Sequence, residues 1–303
     1  MSRKEAARVF CRRPDKRLVA HGLWWYAGYR FMHHRLAVVS LLLFILLIAF
    51  VLLFPLFSPF AYDAINWDEM RQLPDLAKRH YFGTDALGRD LLVRTAMGGR
   101  VSLMVGGVSA LIAIIIGTLY GVIAGYFGGW IDQVMMRWLE ILDTLPFIFL
   151  VILLTTCLGN NILLVFVAIG TVSWLNIARI VRGQVLSLKQ KEFILAARLC
   201  GASSAAIITR HLVPNVLGIV VVYSSLLVPY MILFESFLSF LGLGVREPMT
   251  SWGTLIQSGA RGMEVNPWAL LGPGSFLVLT LLCFNFIGDG LRDALDPKNQ
   301  STR

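Results

Sequence analysis

KQKEFILAARLCGASSAAIITRHLVPN, residues 189–215, is a basic, helix-prone segment wedged between two long apolar runs. It is too polar to lie in lipid and too regularly patterned for a passive loop. Two helical pieces are predicted, broken at Gly201 and stopped before Pro214, because glycine accepts the left-handed conformation that ends a helix and proline cannot continue one. Such a hairpin belongs on a membrane surface, where another protein could grip it.

The flanking runs decide the fold class. With 57% hydrophobic residues, 15% charged residues and a mean hydropathy of +0.71, the 303-residue chain is far more apolar than a soluble domain. A helix needs about 20 apolar residues to cross a bilayer. Six stretches qualify: Leu36–Phe57, Val101–Phe127, Pro146–Leu158, Ile162–Val181, Val216–Gly244 and Trp268–Gly288. The third is short and borrows from Leu139–Leu145. The expected fold is therefore all-α, a polytopic integral membrane protein with six transmembrane helices. Its parts are a basic N-terminal segment (1–35), the first span (36–57), an outer loop (58–100), a main transmembrane domain (101–290) and a tail (291–303).

Charge orients these spans. The first 35 residues hold nine Lys/Arg against two acids and no small-residue cleavage site precedes or follows the run, which reads as a retained span with a cytoplasmic N-terminus. Alternation then puts Ser58–Arg100 outside, Arg182–Asn215 inside and the C-terminus inside. Arg179 to Arg210 carries six Lys/Arg against Glu192 alone, whereas the outer loop balances six against six. The net +9 is thus an orientation signal. Nucleic acid is not an expected partner, since no aromatic groove interleaves the basic residues. Cys11, Cys157, Cys200 and Cys283 are scattered and support neither a disulfide framework nor a zinc site.

In the outer loop, HYFGTDALGRDLL (80–92) is dense in turn formers, and Asp85 suits an Asx-turn. It lacks the DxDxDG spacing of a calcium loop. In the second span Ser109, Ala113, Gly117, Gly121 and Gly125 recur every four residues, so one helical face is nearly bare and a second helix can approach closely, either within this subunit or from a partner. GGWIDQVMMRWLEILDTLP (128–146) sets Asp132, Arg137, Glu140 and Asp143 around an apolar face and should lie along the inner interface. Glu235 is the one acid well inside an apolar run; lining a pathway and pairing with an outer-loop arginine are both open to it. Asp289, Arg292, Asp293 and Asp296 can pair along one face at the end of the last span.

Enzyme signatures are missing. HExxH, GxSxG, paired intramembrane aspartates and histidines at metal spacing are all absent; His33 and His34 lie in the leader, His80 in the outer loop, and His211 reads as a cap on a helix C-terminus. No metal site or bound cofactor is expected. GxxxxGK[ST] is also absent, so any active transport must draw ATP energy from partner subunits.

The hairpin FILAARLCGASSAAIITRHLVPN (193–215) resembles the cytoplasmic loop of bacterial ATP-binding-cassette importer permeases, which runs E-A-A, three residues, G, nine residues, then H-x-x-P. Ala196, Ala197, Gly201, Ala202, His211 and Pro214 stand at the matching positions. Leu195 replaces the usual glutamate, with Glu192 one turn earlier. HYFGTDALGRDLL, LFESFLSFLGLG (233–244), SWGTLI (251–256) and NFIGDGLRDALDP (285–297) are similar to the C-type subunits of the dipeptide and oligopeptide permease group, and parts are shared with nickel importers. The resemblance implies a type I importer permease fold, and a loop seated as a coupling helix in a groove of the ATPase. It implies as partners a second homologous permease, two ATP-binding-cassette ATPases and an extracytoplasmic peptide-binding protein. That protein would dock near Asp85, Gly88, Arg89, Asp90 and the segment 247–267. The implied cargo is oligopeptide, with dipeptide or nickel as the alternative, crossing a bacterial inner membrane.

Overall fold

The computed structural model describes residues 23–146, 148–149, 152–153, 162–245 and 247–295. Most of the third expected span, 146–158, and the residues Cys11 and Cys157 lie outside them. The described helices are α1 (Leu23–His33), α2 (Arg35–Phe57), α3 (Leu91–Phe127), α4 (Gly129–Thr144), α5 (Ile162–Leu188), α6 (Glu192–Leu199), α7 (Ser204–Ile207), α8 (Val213–Phe240), α9 (Trp252–Arg261) and α10 (Trp268–Leu295). Strands are absent from the described residues; two isolated bridges, Asp75 with His80 and Thr84 with Asp90, pin the long loop.

Among the described residues, four helical stretches are long and apolar enough to cross a membrane: Arg35–Phe57, Leu91–Phe127, Ser204–Phe240 and Trp268–Leu295. Contacts fix their directions. Ser102 meets Glu235 and Gly106 meets Ile232, and Phe44 meets Phe284 and Phe50 meets Phe276, so α3/α8 and α2/α10 are antiparallel, while Val51 of α2 packs on Gly99 of α3. By contrast α3 and α5 are parallel, with Ser109 beside Gly170 and Gly125 beside Val185. A parallel pair is what the second and fourth members of an alternating series produce.

That pair rests on the bare face of α3. A Cβ on Gly117 would stand 2.7 Å from Ile177 Cβ, one on Gly121 2.5 Å from the Ala178 carbonyl oxygen, and one on Gly125 2.9 Å from Val185 Cβ. The glycines therefore set the interaxial distance within this chain, and the face is covered by α5, not left for a partner. Ala113, Trp174, Leu175 and Ala178 continue the seam, with Leu139 of α4 closing its end.

The second span begins ten residues earlier than its apolar run. Asp90 caps α3, its Oδ1 accepting from Val93 N at 2.8 Å, and residues 91–100 are helical despite Arg94 and Arg100. Both arginines have tertiary partners that a hydropathy reading cannot see. Arg100 donates to the carbonyls of Val51 (2.9 Å) and Leu52 (2.5 Å) of α2. Val51 is the carbonyl that Pro55, four residues on and without an N–H, leaves unpaired inside α2. Arg100 thus mends the defect that Pro55 makes.

α1 was not expected as a helix. It packs against the last span, where Gly290 lets its Phe31 approach together with Ala37 of α2. α10 also runs past Gly288 to Leu295, and Asp293 lies 3.7 Å from His34.

Candidate functional site

Two candidate surfaces stand at opposite ends of α3. At its C-terminal end is the hairpin of α6 and α7. α6 closes with Gly201 at φ +80°, the Gly201 N–H bonding Arg198 O (3.0 Å) and the Ala202 N–H bonding Ala197 O (3.1 Å). That double pattern is the Schellman motif, and only glycine holds its left-handed position without strain. Ser203 then starts α7, accepting from Ala206 N at 3.3 Å. Ile194, Ile207, Leu212 and Val216 anchor the hairpin by packing on Val122, Tyr126, Val181 and Val185. Lys189 Nζ donates to Tyr126 O (2.6 Å), and the Arg198 guanidinium stands 5.4 Å from the Tyr126 ring centre.

The opposite face of the hairpin is left uncovered by the described residues. Leu199 is 90% exposed, Leu195 48%, and Phe193, Ala196, Cys200 and Gly201 are also open. Glu192 begins α6, where its charge complements the helix N-terminus. Leu195 sits on this outer face, so leucine in place of glutamate leaves the hairpin's own packing untouched. Ala197 and Ala202 are half-buried at the turn, tied by the bond already given.

Two expectations fail here. Pro214 does not stop the second piece: α7 continues through a π-helical turn, Ile208–Leu212, into α8, with Pro214 exposed in the first turn of α8. The wider turn shifts the hydrogen-bond register just where proline has no N–H to give. Nor does His211 cap a C-terminus, because the helix runs on; its ring stands 6.3 Å from that of Phe193 and its carbonyl accepts from Asn215 Nδ2 (2.7 Å).

α4 lies across the same end. Asp132 receives two bonds from Arg182, Nε to Oδ1 at 2.5 Å and Nη2 to Oδ2 at 2.6 Å. Arg179 reaches Asp143 (2.6 Å) and Arg137 reaches Glu140 (3.0 Å). Arg137 with Glu140 is the pair made within α4, while Asp132 and Asp143 take their arginines from α5, and Trp130, Trp138 and Ile141 stay exposed. Between α4, α5 and α8 opens a groove of about 640 Å³ lined by Ser173, Asn176, Tyr223, Tyr230 and Leu227 among others.

At the other end of α3, HYFGTDALGRDLL folds as an internal scaffold. Asp85 Oδ1 accepts from the N–H groups of Leu87 (2.8 Å) and Arg89 (2.9 Å), the Asx-turn expected, and Oδ2 accepts from Arg89 Nε (2.7 Å). Gly88, at φ +72°, lies against the Asn66 carbonyl, where any side chain would collide. Asp90 Oδ2 bonds His80 Nδ1 at 2.8 Å, and a hydrogen bond from His80 Nε2 (3.2 Å) holds Glu69 below the usual carboxylate range. Asp90 is 3% and Arg89 8% exposed. Buried and engaged, these two side chains are not free to meet a docking protein as the sequence suggested; they brace the loop from within. Arg89 Nη2 also reaches Glu247 Oε1 at 2.9 Å, joining this loop to the second one, and lowers the Glu247 carboxyl below its ordinary range.

Glu235 is 1% exposed and its partners are serines, not an arginine. Ser239 Oγ (2.7 Å), Ser102 Oγ (2.8 Å) and Ser236 Oγ (3.4 Å) donate to it. Ser102 Oγ accepts in turn from Trp252 N at 3.2 Å, so one carboxylate joins α8, α3 and α9. Enclosed this way it cannot line an open pathway. Trp252, fully buried with its Nε1 on the Thr95 carbonyl (3.0 Å), was missed by the sequence reading; SWGTLI, with Ser251 and Thr254 forming a capping box, was its signal.

Among the described residues no cluster of His, Cys, Asp and Glu could hold a metal ion. A helical bundle with long apolar helices, a hydrogen-bonded loop assembly at one end and a hairpin with exposed apolar side chains at the other has the form of an integral membrane component. Residues 117–301 match the model of the binding-protein-dependent transport system inner membrane component, and residues 22–74 that of the N-terminal TM domain of oligopeptide transport permease C. The chain belongs to this family of inner-membrane transport components. It is 64% identical over 278 residues to the oligopeptide transport system permease protein OppC of Escherichia coli (strain K12), covering 92% of each chain. To the same-named proteins of Salmonella typhimurium and Haemophilus influenzae it is 65% and 57% identical, each over 92% of the relative and over 92% and 94% of this chain.

Proposed function

We propose that this chain is one of two permease subunits of an ATP-driven oligopeptide importer, non-catalytic itself, with both termini on the cytoplasmic side. The observation that carries the reading is the hairpin: a segment outside the spans, rooted in the bundle by Ile194, Ile207 and Leu212, that exposes Phe193, Leu195 and Leu199. Exposed apolar side chains on a rigid support suit a protein partner. An ATPase seated there would drive α5 and α8 together, because both helices leave the hairpin directly. The groove between those two helices supplies one wall of the conduit, completed by the second permease. At the opposite end, the loops 58–90 and 247–267 receive the peptide-binding protein. The cargo is oligopeptide, the substrate named for the relatives above, and no cofactor is held by this subunit.

Cys200 offers a direct test, since it is exposed beside Gly201 at the hairpin tip. A maleimide–benzophenone reagent attached at Cys200 in the intact complex in membranes should, on irradiation, join this chain to an ATPase subunit, and Cys200→Ser should abolish the adduct. Transport by this chain reconstituted alone, or a cognate binding protein that takes nickel or only dipeptides, would sink the coupling or the cargo assignment respectively.

A further inference from the structure

The side of α1 that turns away from the bundle is apolar and aromatic, and none of the roles above uses it. Trp25, Tyr29 and Met32 follow one another at helical spacing along that side and are 57%, 54% and 65% exposed. The rings form a ladder: Trp25 and Tyr29 have centres 6.0 Å apart, and Tyr29 and His33 4.3 Å. The opposite side is spent inside the chain, with Ala27 buried and Phe31 against Gly290 of α10. Packing therefore fixes which way the aromatic row points.

Continuity, depth and charge identify what covers it. α2 carries the row onward with Leu36, Val39, Leu43 and Leu46, exposed at the same spacing on a helix apolar enough to cross a membrane. The surface of α1 thus runs straight into one that lies against acyl chains. In depth, Phe31 stands level with Gly290, and His34 lies 3.7 Å from Asp293, both just past the apolar run of α10. That is the height of the lipid headgroups. α1 does not itself cross, since its 11 residues reach only about 16 Å. Extended backbone at His34 (φ −85°, ψ 93°) takes it off the helix of α2. Nine Lys/Arg against two acids occupy the first 35 residues, Arg30 and Arg35 among them. Aromatic rings with polar tips beside an excess of cations suit an anionic headgroup layer.

We infer that α1 is seated in the headgroup layer of the inner leaflet and holds anionic phospholipid there. Trp25, Tyr29 and Met32 enter the acyl boundary, while Arg30, Arg35 and the basic stretch before them attract lipid phosphate. Through Phe31 and His34 the same helix ties the inner end of α10 to the membrane surface. The choice of leaflet rests on the importer reading above, which sets both termini inside; the seat itself does not.

The test uses the whole transporter, with its second permease and two ATPases, in vesicles of phosphatidylcholine and phosphatidylglycerol. In a background with all four cysteines changed to alanine, Trp25→Cys, Tyr29→Cys or Met32→Cys carries an environment-sensitive fluorophore. Met263→Cys in the outer loop and Leu53→Cys at the outer end of α2 are the references, both exposed. A lipid with its nitroxide high on the acyl chain should quench the α1 probes at least about twofold more than aqueous iodide does, with the reverse at position 263. Spin-labelled phosphatidylglycerol should quench them at least about twofold better than spin-labelled phosphatidylcholine, and the two should act alike at position 53. High salt, or Arg12→Gln, Arg13→Gln, Lys16→Gln and Arg17→Gln together, should remove that preference. Iodide quenching equal to that at position 263 would put α1 in water and overturn the inference. Shielding from both quenchers would assign the row to a partner subunit and overturn it too, and equal quenching by the two lipids would overturn the anionic assignment. ATP hydrolysis stimulated by the peptide-loaded binding protein, measured in the same vesicles, reads the importer assignment separately; its absence would sink that reading and the choice of leaflet, not the seat of α1.

Discussion

Single residues do their work here through backbone geometry and hydrogen-bond supply. Gly201 holds φ +80° with open space where a Cβ would go, so its constraint is conformational and not steric. Gly201→Val should therefore strain the Schellman turn by about 1–2 kcal/mol and disrupt coupling while the chain still inserts. Membrane abundance by immunoblot should be normal and peptide-dependent growth lost; growth at the native rate would contradict the rigid-turn role. Leu195→Glu changes only the exposed face, and a modest effect on growth is expected from it. Glu235 poses the opposite case, a carboxylate whose value lies in three donors. Glu235→Leu leaves buried serine hydroxyls without an acceptor and should cost about 2 kcal/mol, whereas Glu235→Gln retains an acceptor and should cost less. Thermal unfolding in detergent would order the two, and equal melting temperatures would argue against the serine network as a structural tie. The sequence singled out Glu235 by its rarity in an apolar run but not its partners: Ser239, one turn on in the same helix, was legible from spacing, whereas Ser102 carries no signal until α3 and α8 are side by side.

At the scale of elements, the seam between α3 and α5 is set by absent side chains. A leucine at Gly121 would press on the Ala178 carbonyl and Val181, so Gly121→Leu should destabilise the bundle by roughly 3 kcal/mol or more and lower its melting temperature in detergent. Gly107→Ala and Gly183→Ala, on the same two helices, are the controls: a Cβ at either meets nothing within 4 Å, and both should melt like the unmodified protein. A tolerated Gly121→Leu would mean that the helices are not held as close as the structure places them. The four-residue period of small residues made the close approach legible and left its partner open, because a bare helical face carries no label for what covers it. Helix ends were read less well. Residues 91–100 look like loop because arginine interrupts the apolar run, yet Asp90 supplies the cap and Arg100 finds the carbonyls freed by Pro55.

Over the whole molecule, the loops at one end form a unit joined by charge. Arg89 lowers the Glu247 carboxyl, so this bridge contributes fully above the carboxylate's ordinary pKa and is lost as pH falls through the depressed folded value. Glu247 is 62% exposed, which keeps the contribution small. Amide exchange in residues 83–95, corrected for the intrinsic pH effect, should thus be level from neutral pH down to about pH 4.3, the usual glutamate value, and rise only below it. Glu247→Gln should remove that step, and a rise centred near pH 6 would point to another group.

Hydrophobic length and the glycine-centred hairpin pattern determined the membrane class, four of the long apolar helices and the turn at Gly201, because transfer of apolar side chains into lipid and the left-handed turn at glycine act locally along the chain. Which carbonyl an arginine meets, which helix covers the glycines, and which of the loop's charges are spent inside it were decided only by the tertiary structure. Those depend on residues such as Arg89 and Glu247, or Ser102 and Glu235, far apart in sequence and brought within hydrogen-bond distance by packing alone.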